Sequence, residues 1–132
     1  MVDQHTVKAF DEDINRLRGL IAEMGGRVET AIEEAMTALV QQDEKKAKAI
    51  VDNDGRIDAL EAEVERLVVQ IIALRAPLAD DLREVIAALK IVGVVERIGD
   101  YAKNIAKRVP KIGDHQRSEE RRVGKECRSR WS

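Results

Sequence analysis

Residues 74–91, LRAPLADDLREVIAALKI, contain the corner that decides how this chain folds. The residue before a proline is pushed out of the helical region, and proline itself suits the first position of a new helix. Ala76-Pro77 therefore predicts a turn between two helices. Asp80, Asp81 and Glu84 then set negative charge near the start of the second one, where the helix dipole favours it.

Upstream of the corner, Ile50, Ile57, Leu60, Val64, Leu67, Ile71 and Leu74 keep a helical period, which predicts one helix from an N-cap at Asp43 to about Leu74. Downstream, Leu78, Leu82, Val85, Ile86, Leu89 and Val92 form the expected buried row. A second apolar row, Ile91, Val94, Ile98, Tyr101 and Ile105, lies on a different face. Pro110 and Gly113 predict the end of this helix near Val109. Before the polar break at Gln41-Gln42-Asp43, Val7, Phe10, Ile14, Leu17, Ile21, Met24 and Val28 step by three and four, followed by Ile32, Met36 and Leu39. They predict a first helix from about Thr6 to Gln41, with Gly25 and Gly26 inside it at a cost of roughly 2 kcal/mol relative to alanine. Three helices of similar length with short links predict an all-α, antiparallel up-down-up three-helix bundle over residues 1–112, with a disordered tail over 113–132.

Composition agrees with long helices packed side by side. The 132 residues hold 23 Lys and Arg, 25 Asp and Glu, and one each of Phe, Tyr and Trp. A net charge of -2 favours neither nucleic acid nor a membrane surface as partner. No stretch is apolar for long enough to span a bilayer, and the N-terminus has no signal-peptide core. The single cysteine, Cys127, cannot form an internal disulfide, which suits a cytoplasmic location. The last residues, RSEERRVGKECRSRWS (117–132), carry six basic and three acidic groups, net +3, which leaves -5 for residues 1–116. They lack helical periodicity and resemble a translated sequencing adapter, so the chain from about 117 is expected to be artefactual.

The corner also sets a register. Folding at Ala76-Pro77 puts position 54 level with about 99 and position 58 level with about 95. Asp54, Asp58, Glu61 and Glu65, spaced four, three and four, then run beside Glu96 and Asp100. Clustered carboxylates repel unless a proton or cation neutralises them. An oxygen-rich set without histidine suits a hard cation. The alternative is an ordinary solvated acidic face, with Arg97 and Lys103 compensating. No catalytic constellation accompanies it: His5 and His115 lie near the chain ends, and there is no phosphate loop or activated nucleophile. The expectation is a protein that is not an enzyme.

MGGRVETAIEEAMTAL (24–39), DNDGRIDALEAEVE (52–65), LRAPLADDLREVIAALKI (74–91) and VERIGDYAKNIAKR (95–108) together resemble the PhoU family of phosphate-transport regulators. The resemblance covers nearly all of residues 4–110 and matches the first of the family's two three-helix repeats. It implies an accessory protein that negatively regulates phosphate uptake and the phosphate-starvation response. Such proteins bridge the ATPase subunit of the phosphate ABC transporter and a phosphate-sensing histidine kinase, so the resemblance implies membrane association only through partners. It also implies a divalent or iron-type metal cluster on the acidic motif, which Glu96 and Asp100 match and which Asp54, Asp58 and Glu61 extend; Val94 departs from the family's acidic pattern. A single repeat leaves a face uncovered, so self-association through the second apolar row, giving a homo-oligomer, is expected. The competing expectation is a structural helical dimerisation module with no metal or phosphate-signalling role.

Overall fold

The computed structural model describes residues 4–131, with side chains described over 7–124, and the described chain is almost entirely helical. Four helices follow in order: α1 (Gln4–Gln41), α2 (Glu44–Asp52), α3 (Gly55–Arg75) and α4 (Asp80–Trp131). α1 and α4 pack directly on each other, and α2 and α3 together form the return arm that packs against both, so the three-helix bundle expected from the sequence is present.

α1 ends where expected. Gln42 takes a left-handed conformation (φ 55°), and the Asp43 N–H donates to the Ala38 carbonyl at 2.9 Å. Asp43 then caps α2, its carboxylate accepting the Lys46 N–H at 3.0 Å. The single second helix expected from the sequence is instead divided into α2 and α3. The break falls at Asn53-Asp54, inside Asp52-Asn53-Asp54-Gly55, four residues whose side chains or flexibility disfavour helix interiors. It is tight. The Asn53 N–H still donates to Ala49 at 3.0 Å, and the Ile57 N–H reaches Asp54 at 3.1 Å.

The corner is longer than its sequence suggests. Ala76 (φ 43°) caps α3 in the left-handed region, Ala79 (φ 49°) repeats that conformation, and α4 starts only at Asp80. Leu78 is therefore in the link and 79% exposed, and Leu82 and Ile86 also lie at the surface rather than in the core. The inner row of α4 is Val85, Val92, Gly99, Ala102, Ala106 and Val109, with Ala88, Leu89 and Val95 packed beside it. Small residues dominate its second half because α4 approaches its neighbours closely there. A Cβ added at Gly99 would sit 3.3 Å from Val28 Cγ2 and 3.8 Å from Ile57 Cδ1. Gly25 and Gly26 are different: a Cβ at either would meet nothing within 4 Å.

The core has two parts. Ile14, Leu17, Met24, Val28, Leu60, Val64, Ile71, Val85 and Val92 form a large aliphatic cluster where α1, α3 and α4 meet. Ala35, Ala38, Ala47, Ile50, Ala102, Ala106 and Val109 form an alanine-rich one where α1, α2 and α4 meet. Met36, expected on the buried side of α1, is exposed, and Ala35 and Ala38 take that role.

α4 does not stop at Pro110, and the disordered tail expected from 113 is helical as far as Trp131. Proline removes one backbone donor. The buried Val109 holds the helix on α2, and Arg117 bridges Glu44 at 2.9 Å and Asp114 at 2.7 Å just beyond it.

Candidate metal centre

The acidic residues of α3 and α4 face one another, in a register different from the one a corner at Ala76-Pro77 gives. Lys103 Nζ donates to Asp54 Oδ2 at 3.1 Å, and Glu61 shares a hydrogen bond with Glu96. Each residue of α3 is thus level with a residue of α4 about four positions, or one turn, later than expected. The physical reason is the extended link through Ala79, which delays the start of α4.

The shift decides which carboxylates converge. Asp58, Glu61 and Glu96 each offer an oxygen within 4.8 Å of the others. Asp54 is outside this group: its side chain, 12% exposed, is held by Lys103. Asp100 is also outside it, one turn along α4 and exposed, although its charge still acts on Asp58. Of the five expected ligands, three come together and two do not.

Glu61 and Asp58 both feel burial and like charge. Glu61 is pushed up to about 7, first by burial, then by the hydrogen bond to Glu96, then by the charges of Glu96, Glu65 and Asp58. Asp58 is also raised, by burial first and then by Asp54, with Lys103 opposing. Lys103 is raised by its hydrogen bond to Asp54. Here a cation would replace a proton. The donors are all carboxylate oxygens, which fits a hard divalent ion or an oxygen-ligated iron.

Next to this group lies a cleft of about 440 Å³ between α1, the α2–α3 junction and α4, lined by residues including Glu23, Arg27, Asp54, Arg56, Gly99 and Lys103. Glu23, Arg27, Arg56, Asp54 and Lys103 pair with one another there. Glu23 accepts from Arg56 at 3.0 Å and Arg27 at 3.4 Å, which holds its carboxyl below the ordinary value. Sequence reasoning missed this cleft, because the break at Asn53-Asp54 that opens it lies inside an unbroken apolar stripe.

The PhoU domain family matches residues 21–109. The chain belongs to the PhoU family. Within it, the chain is 61% identical over 106 residues to a phosphate-specific transport system accessory protein PhoU homolog of Zymomonas mobilis, covering 80% of this chain and 45% of that relative. A homolog of the same name in Caulobacter vibrioides is 44% identical over 105 residues, covering 80% and 46%. Another in Xylella fastidiosa is 45% identical over 106 residues, covering 80% and 44%. The chain thus spans a little under half the length of these PhoU relatives. The PhoU match encloses Asp54, Asp58, Glu61, Glu96 and Asp100 and stops at Val109, so the adapter-like residues lie beyond it. No helix among the described residues is long and apolar enough to cross a membrane.

Proposed function

We propose that this chain acts as a PhoU-type accessory protein of phosphate-specific transport, one that negatively regulates phosphate uptake and the phosphate-starvation response through protein contacts in the cytoplasm. The observation that carries this reading is the family match over residues 21–109, reinforced by relatives that bear the transport-accessory name. Its partners are the ATPase subunit of the phosphate transporter and a phosphate-sensing histidine kinase, and it reaches the membrane only through them. Asp58, Glu61 and Glu96 hold a hard cation, a divalent or iron-type ion, which ties α3 to α4 and sets the shape of the surface offered to those partners. The convergence of three oxygen donors supports that assignment.

The function is tested in a bacterium deprived of its own PhoU protein. Expression of this chain should lower a phosphate-starvation reporter severalfold in phosphate-rich medium, and the tagged chain should bring down the transporter ATPase and the kinase. An unchanged reporter with neither partner retained would leave only a structural helical module.

A further inference from the structure

The cleft between α1, the α2–α3 junction and α4 has the size of a small-molecule site, about 440 Å³. Its lining runs from Glu23 to Lys103, so every wall lies inside the region matched by the family. Ala31, Ile50 and Ile57 give it an apolar middle, with the buried Gly99 contributed by α4. Gly26 keeps the space open. A Cβ there would meet nothing within 4 Å, so no helix contact calls for glycine at a position where glycine weakens a helix. Gly26 lines the cleft, and a side chain in its place would take up the volume.

The charges of the cleft select its ligand. Three cations and three carboxylates line it, so it is neutral as a whole. Asp54 and Lys103 satisfy each other at 3.1 Å. Arg27 and Arg56 converge on one oxygen, Glu23 Oε1, at 3.4 and 3.0 Å, and neither makes another ion pair among the described residues. A guanidinium offers more N–H donors than one such bond uses, so the pair has donors to spare for a second oxyanion. Glu34 lies about 10 Å along α1 from Arg27. It is exposed and makes no ion pair among the described residues. A ligand with net negative charge would meet Glu34 unfavourably, whereas an acid at one end and an amine at the other complement both ends.

We infer that this cleft binds an elongated zwitterion, with its acid group on Arg27 and Arg56, its ammonium on Glu34 and its stem against Ala31, Ile50 and Ile57. A free ω-amino acid and a short peptide share this chemistry. The inference rests neither on the phosphate-transport reading nor on the cation at Asp58, Glu61 and Glu96, and its failure leaves both standing.

Amide NMR titrations of the full chain test it, read at Gly26, Ala31 and Gly99, with ω-aminooctanoate and trialanine as probes of the two sources. At least one should give saturable shifts, and the tighter of the two names the source. At about 50 mM salt that zwitterion should bind at least about five-fold more tightly than octanoate or octylamine, which carry one charge each. Gly26→Leu, checked by circular dichroism and melting, should abolish binding, because its side chain fills the cleft. Glu34→Gln, at the surface, should weaken the zwitterion at least about five-fold and leave octanoate unchanged. No saturable shift with either zwitterion, equal affinity for octanoate or octylamine, binding that survives Gly26→Leu, or indifference to Glu34→Gln would overturn the inference.

Discussion

Replacing Leu60 with alanine is expected to lower the unfolding free energy by about 2–5 kcal/mol, whereas the same change at Leu78 should cost about 0.5 kcal/mol or less. Leu60 is fully buried in the aliphatic cluster between α1, α3 and α4, so its removal takes away apolar contact and leaves a cavity that rigid helices fill only in part. Leu78 opens the buried row expected of the next helix when the sequence is read alone, yet it sits exposed in the link before α4. Chemical denaturation of both variants checks the pair. Similar losses at the two positions would place the corner at Ala76-Pro77, with α4 beginning there, and would shift the carboxylate register back by a turn.

The second large effect is a pH dependence centred on Glu61. Its folded-state pKa of about 7 lies above the ordinary value of 4.5, so the folded chain holds a proton there that the unfolded chain releases earlier. That contribution is complete below about pH 4.5 and is lost as pH rises through about 7. Asp58, also raised, acts in the same direction. Stability should therefore fall by about 1–2 kcal/mol between pH 5 and pH 8 without metal, after allowance for solvent screening at a partly exposed site. Glu61→Gln keeps a neutral hydrogen-bonding group at every pH and should remove most of this slope, leaving the variant more stable than the parent at pH 8. Denaturant titrations at the two pH values measure it. A slope that persists in Glu61→Gln would assign the effect to other groups.

How much of this was legible in the sequence depends on what each feature rests on. The long helices follow from apolar periodicity, and the Asp43 cap from one side chain within reach of a backbone donor. The α2–α3 break was written in Asp52-Asn53-Asp54-Gly55, but Ile50 and Ile57 continue the stripe across it, and periodicity does not register a local tightening of the backbone. The inner row of α4 was misassigned because its second half is built from Gly99, Ala102 and Ala106, while the larger Ile98 and Tyr101 beside them face outward. Large side chains attract attention in a sequence, but close helix contact selects small ones. At the site, the approach of two acidic helices was legible from the topology. Which carboxylates would meet was not, because two extra residues of extended link move the pairing by a turn. Lys103 was visible as a compensating charge, but its removal of Asp54 from the cluster depended on that same register.

The cation site proposed at Asp58, Glu61 and Glu96 draws its donors from both α3 and α4. Calorimetric titration of the metal-free chain with Mn²⁺ near pH 7.5 tests it most directly. One ion should bind the parent, with proton release from Glu61; Glu96→Gln should weaken binding by about ten-fold or more, and Asp100→Asn should change it little. No measurable Mn²⁺ binding to the parent, or equal binding in the parent and Glu96→Gln, would contradict the account.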